Sequence, residues 1–250
     1  MYRIEYYNRS EGRIPMTEHN SCGHEAASNV EMRHSCIATV PIFNHLTAEE
    51  MNEIVKTTNS VSYAKGETIY HAGEPSIGLQ IVHKGRLKIY RLSETGKEQL
   101  VRILGPGDFT GELSLFSESV NDAYAEALEP VEICAMNRET LQQFLLKYPA
   151  ISLKMLTEFT SRLLKSEQQS ASIAMETVET RIAMYLADQT EEQSTQLITL
   201  PMTRKDLASH LGTTPETVSR KLAEFEDAGW IEQERRRKIR VLDLDALLVA

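Results

Sequence analysis

Three polar residues late in the chain have the types and spacing needed to read nucleobase edges. Glu216, Ser219 and Arg220 stand at i, i+3 and i+4, so on a helix they share one face. A guanidinium donates two parallel hydrogen bonds to guanine O6 and N7, and a carboxylate accepts from cytosine N4. Further on, five of the six residues from Arg235 to Arg240 are basic. Arg235, Arg236, Arg237 and Lys238 suit phosphates, whose contacts fix register while base contacts specify. Each feature alone also fits an ordinary solvated helix or hairpin, and only their succession argues for DNA. A second candidate is the run Gly105-Pro-Gly-Asp-Phe-Thr-Gly-Glu-Leu-Ser-Leu-Phe116. Its backbone N–H groups could cradle a phosphate, or its glycines simply turn a corner. It matches neither a P-loop nor a dinucleotide loop. The sequence has no G-x-S-x-G, H-E-x-x-H, kinase set or paired-carboxylate context, so no enzyme is expected.

The reading residues need a helix held by a second one. Thr203 stands three residues before Asp206, a capping-box spacing that opens a first helix burying Leu207 and Leu211. Gly212 supplies the reversal. Thr213 or Thr214 can cap the second helix, with Pro215 in its first turn. Val218, Leu222 and Phe225 recur at i, i+4 and i+7 and make its buried side. The opposite, N-terminal face is the one a recognition helix presents to the major groove. Two strands beginning at Trp230 and ending at Leu242 would carry the basic run as a wing.

Charge is distributed in keeping with this. Residues 201–250 carry nine basic and nine acidic side chains, and the whole net charge of -9 comes from the first 200. General nucleic-acid affinity is therefore excluded, and positive charge is concentrated locally. No apolar run approaches the ~20 residues of a membrane span, and the N-terminus lacks the apolar core of a signal peptide. A soluble, cytoplasmic protein is expected.

Residues 1–35 read as a loose tail, polar and without periodicity. From about residue 60 to 137, short strand-like pieces alternate with glycines at 66, 73, 78, 85, 96, 105, 107 and 111. This rhythm predicts an antiparallel roll of jelly-roll type. A helical pattern follows to about Gln189. Leu156, Phe159 and Leu163 form a narrow apolar seam on it, suited to a parallel dimer contact, to packing on the roll, or to both.

The roll with G-x-G-D-F-x-G-E-L-x-L-F, the long helix and the helix-turn-helix with E-T-V-S-R resemble the CRP/FNR family of bacterial transcription regulators, from about residue 36 to 245. The resemblance implies an α+β fold: a β-roll sensor of cyclic-nucleotide-binding type over 36–150, a dimerisation helix over 151–177 with Leu156, Phe159 and Leu163, and a winged helix-turn-helix over 178–250. It implies a homodimer, double-stranded DNA and RNA polymerase as partners, and no membrane. Glu216, Ser219 and Arg220 match the FNR branch, which implies a TTGA-like inverted repeat with Arg220 on guanine and Glu216 on cytosine. Thr203, Arg204, Thr214 and Thr217 match family phosphate contacts. The effector pocket would include Gly111, Glu112 and Leu113. Where CRP-like members place an Arg-Ser pair on a cyclic phosphate, this chain has Asn121, Asp122 and Ala123, and Asp repels a phosphate. Control by cyclic AMP is not expected.

FNR proteins hold an iron–sulfur cluster through closely spaced N-terminal cysteines and one in the roll. This chain has Cys22, Cys36 and Cys134. Cys22 fits no usual cluster spacing, and a fourth ligand would have to be His24 or His34. No cofactor is expected. Similarity to thiol-switched regulators implies instead a reversible bridge between Cys36 and Cys134, within the ~4.4–6.8 Å Cα separation a disulfide needs. Buried cysteine that only packs, a small effector in the roll, or constitutive activity remain alternatives.

Overall fold

Short antiparallel strands build the first lobe. The computed structural model describes residues 37–115, 120–235 and 237–249, with Leu113 and Arg235 described by backbone alone. The segment 1–35, Cys22, Cys36 and Arg236 lie outside the described residues.

The strands are β1 (Asn59–Tyr63), β2 (Thr68–Tyr70), β3 (Leu79–Lys84), β4 (Leu87–Leu92), β5 (Glu98–Leu104), β6 (Phe109–Thr110), β7 (Tyr124–Ala127) and β8 (Val131–Met136). They pair antiparallel in two sheets, ordered β1-β8-β3-β6 and β2-β7-β4-β5. Successive residues point to opposite faces, and β8 uses both. Val131 and Ile133 enter the roll interior with Val82, Leu87, Ile89 and Leu104. Cys134 and Met136 turn outward into a second apolar layer.

Helices cover that outer layer. Ile37, Val40, Ile42 and Phe43 join it, followed by α1 (Ala48–Val55), which Thr47 and Glu50 open with a capping box. Helices α2 (Arg138–Lys147) and α3 (Pro149–Met175) continue the cover through Leu141, Phe144, Ile151 and Met155. At 27 residues, α3 runs ~40 Å. The helical pattern that extends to about Gln189 is divided after Met175. Glu176 is extended, and Thr177 caps a separate α4 (Val178–Glu192) by accepting from the Thr180 N–H. No helix among the described residues is long and apolar enough to cross a membrane.

The second lobe contains α4, β9 (Leu197–Thr199), α5 (Arg204–His210), α6 (Pro215–Asp227), β10 (Ile231–Arg235), β11 (Lys238–Val241) and α7 (Leu244–Val249). Its three strands are ordered β10-β11-β9. Ile182, Leu186, Leu207, Val218, Leu222, Phe225 and Ile239 form its core. One member, Leu100, comes from β5 of the roll, so the two lobes share an apolar contact.

Candidate nucleic-acid interface

Local sequence fixes the two-helix unit. Thr203 caps α5, its hydroxyl accepting from the Asp206 N–H, while the Asp206 carboxylate accepts from the Thr203 N–H to complete the capping box. Gly212, at φ 65°, makes the reversal in a conformation side chains rarely adopt. Thr214 caps α6, accepting from the Thr217 N–H, and Pro215 occupies the first turn.

On α6 the apolar residues Val218, Leu222 and Phe225 are buried, whereas Glu216 and Arg220 are exposed and Ser219 half-buried. The three base-reading candidates thus share the outer N-terminal half of the helix. Arg220 keeps 68% of its side chain exposed, with Nε 3.8 Å from Glu224 Oε1. The Glu216 carboxyl is held below the ordinary carboxylate value by its own backbone N–H and then by the Thr214 hydroxyl. It therefore stays an ionised acceptor.

The phosphate-facing candidates surround this face unevenly. Thr203 and Thr214 are exposed, and the Thr214 and Thr217 hydroxyls lie 3.1 Å apart beside the α6 N-terminus. The Arg204 guanidinium is turned onto Gln233 Oε1 of the wing. Arg237 and Lys238 at the wing tip are exposed. Arg240, part of the same basic run, is engaged by Glu232 at 3.6 Å and by Glu234. The composition of the run therefore overstates the charge free to meet phosphate.

In the roll, Gly111 is required by close approach: a Cβ there would lie 1.9 Å from Gly78 O. Leu113 lies in the short 3-10 turn Glu112–Leu115. Sequence reasoning missed what holds Glu112. Arg162 of α3 enters the roll, Nη1 donating to Glu112 Oε1 at 3.0 Å and Nη2 to Phe109 O at 3.2 Å. Its guanidinium lies 4.1 Å from the Phe109 ring centroid, and Arg102 Nη2 reaches the same carboxylate oxygen at 3.4 Å. Burial, then the neighbouring Arg102, lower the Arg162 value, yet a guanidinium stays charged. The signal was present in principle, since Arg162 stands three residues after Phe159, where a cation interrupts an apolar stripe. Both arginines thus meet Glu112 through Oε1, and Asp122 pairs on the surface with Arg91.

The remaining candidates separate. Cys134 is 1% exposed in the layer between sheet and helices, and that layer also contains Ile37, the neighbour of Cys36 in sequence. Phe159 packs against this layer, while Leu156 and Leu163 remain 58% and 59% exposed. Leu153, Leu156, Thr157, Thr160, Ser161 and Leu164 line an open groove of about 620 Å³ along α3.

Comparison with known proteins agrees with this geometry. The cyclic nucleotide-binding domain family matches residues 60–148, and the Crp-like helix-turn-helix domain family matches residues 180–249. The chain is 36% identical over 214 residues to "Probable transcriptional regulator flp" of Lacticaseibacillus casei, covering 86% of this chain and 97% of the relative. It is 30% identical over 203 residues to a CRP-like cAMP-activated global transcriptional regulator of Mycobacterium tuberculosis, covering 79% and 91%. Among solved structures, FixK2 from Bradyrhizobium japonicum superposes with a TM-score of 0.68 at 25% identity, covering 76% of this chain and 95% of that one. A β-roll joined by a long helix to a DNA-binding helix-turn-helix, with relatives matched over almost their full length, places this chain in the CRP/FNR family of transcription regulators.

Proposed function

We propose that the protein acts in the cytoplasm as a homodimer that reads a TTGA-like inverted repeat and presents itself there to RNA polymerase. Arg220 contacts guanine, Glu216 contacts cytosine, and Ser219 lies between them. Thr203, Arg204, Thr214, Thr217 and the wing residues Arg235, Arg236, Arg237 and Lys238 take the phosphates. The dimer closes along α3 through Leu153, Leu156 and Leu163, while Phe159 serves the roll. The observation that carries this reading is the division of α6: its apolar stripe is buried, and its carboxylate, hydroxyl and guanidinium face outward together at the N-terminal half. Two such helices related by a two-fold axis meet an inverted repeat.

Its signal is redox state, read by a reversible disulfide between Cys36 and Cys134. Support comes from the shared apolar layer of Ile37 and Cys134 and from the internal pairing of Glu112, which directs control away from a cyclic nucleotide. Operator binding by wild type, Cys36→Ser and Cys134→Ser, each with and without reductant, tests the proposal. Only the wild type should respond, and equal wild-type affinity in both conditions removes the switch. A second reading places a small effector in the roll. It is favoured by two buried acceptors, Gln80 Oε1 and Glu112 Oε2, which lack a hydrogen-bond partner among the described residues. A ligand donating hydrogen bonds to both would raise the melting temperature in proportion to RT ln(1 + [L]/Kd).

A further inference from the structure

We infer that the DNA-binding lobe is held down on the edge of its own roll by Ser209, whose hydroxyl substitutes for a missing strand, and that this docking restrains the lobe's affinity for DNA. The inference rests on DNA binding by the helix-turn-helix lobe, but on neither the half-site nor the thiol proposal.

Strand β5 ends the sheet β2-β7-β4-β5, and an edge strand leaves a row of N–H and C=O groups unpaired. At Glu98–Leu100 that row is closed by α5. The Leu100 N–H donates to Ser209 Oγ at 2.6 Å, and the same hydroxyl donates to Glu98 O at 2.8 Å. Gln99 Nε2 adds a bond to Ser209 O at 2.8 Å. A single side chain thus accepts and donates as one residue of a neighbouring strand would. Behind it, Leu100 is 1% exposed among the core residues of the second lobe, with Ile103 packed alongside.

Charges surround this contact. Lys88, 6% exposed, lies 3.5 Å from Glu98, 3.5 Å from Glu126 and 3.6 Å from Asp206, the carboxylate of the α5 capping box. Lys205, beside it on α5, reaches Glu98 at 3.1 Å. On the other side of α5, Gln169 of α3 donates to His210 O at 2.9 Å. Docking therefore draws Lys205, a cation of the DNA-binding lobe, toward the Glu98 carboxylate of the roll. Undocking releases Lys205 from Glu98, making its charge available to DNA, and frees α6 to change its angle to the roll.

Ser209→Ala tests this, since alanine keeps α5 helical while deleting the bridging hydroxyl. Two readouts are measured: amide exchange at Leu100, and binding to a TTGA inverted-repeat duplex and a scrambled duplex across a salt series. Exchange at Leu100 should accelerate about tenfold, as expected for loss of one buried hydrogen bond. Affinity should rise for both duplexes, and the slope of log K against log salt should steepen by about 0.9 per released cation. Unchanged Leu100 exchange overturns the proposal, as does faster exchange with unchanged or weaker DNA binding. If the alanine variant does not fold, Glu98→Gln releases Lys205 without touching the hydroxyl and must steepen the same slope. Failure of the half-site proposal would show separately, as a wild type that does not distinguish the two duplexes.

Discussion

Replacing Arg220 with alanine should separate reading from folding. In the free protein this guanidinium is 68% exposed and 3.8 Å from Glu224, an exposed i, i+4 pair of the kind worth at most ~0.5 kcal/mol. Alanine is the better helix former, so the unfolding free energy should change by less than about 0.5 kcal/mol. Against DNA the loss is much larger. A bidentate contact to guanine contributes ~1–3 kcal/mol of discrimination. The proposed two-fold complex would make it twice, giving ~2–6 kcal/mol, or roughly 30-fold to 2 × 10⁴-fold in affinity. The assay is fluorescence anisotropy with duplexes in which the guanine of each half-site is replaced by each other base. Wild type should rank the duplexes sharply. Arg220→Ala should bind all of them with similar, weak affinity and an unchanged denaturation midpoint. If the variant keeps the wild-type ranking, base reading does not reside on this face of α6, and the division of labour along that helix has been misread.

Four further outcomes follow from named residues. Neutralising Arg237 and Lys238 to glutamine should weaken all duplexes alike and lower the salt slope by about 0.9 for each phosphate left without its cation, as measured by titration at several salt concentrations. Gly111→Ala would put a Cβ 1.9 Å from Gly78 O at φ +81°, so denaturant unfolding should show a loss of at least ~2 kcal/mol. Thr203→Ala removes the hydroxyl of the α5 capping box and should cost ~1 kcal/mol by the same measurement. Burial lowers the His210 value from 6.5, so below that pH the unfolded chain binds a proton that the folded chain resists. Stability should therefore fall as pH drops through ~6.5. Urea midpoints at pH 7.5, 6.5 and 5.5 should show this slope in the wild type and a shallower one in His210→Gln.

What could be read in the sequence was what local chemistry specifies. Thr47 with Glu50 and Thr203 with Asp206 announce capping boxes, because the bonds they make span three residues. Val218, Leu222 and Phe225 declare the buried side of α6 by period alone. Strands β6 and β9, of two and three residues, are too short for alternation to register in the sequence. The polar β1 has a burial pattern that marks no core face. Ser209 and Lys88 were invisible for a different reason. Their partners lie across the junction of the two lobes, up to 118 positions away in the case of Lys88 and Asp206, and nothing local marks a serine that will close a sheet edge. The same holds for Arg162, whose carboxylate partner is 50 positions distant.

Helix α3 shows how these distant contacts become one mechanical unit. Ile151, Met155, Phe159 and Arg162 recur at spacings of three and four and face the roll. Gln169 and Ile173 continue that side to the second lobe, Gln169 bonding His210 and Ile173 lying against Gly212. One side of the helix thus serves its own chain along much of its length. Leu153, Leu156, Leu163 and Leu164 are left exposed beside it, with the spacing of a second seam. A partner packed on that seam would hold α3 from both sides, so a shift of the helix could not relax in one lobe alone. Arg162 in the roll and Gln169 at α5 are seven residues apart, two turns of the same rigid rod. A signal that moved the roll against α3 would therefore reach the α5 contact, and with it α6, without a flexible linker between them. Arg162→Gln tests this transmission: it should loosen Glu112 and also accelerate amide exchange around His210. If exchange at α5 is unaffected, the two lobes do not communicate through α3.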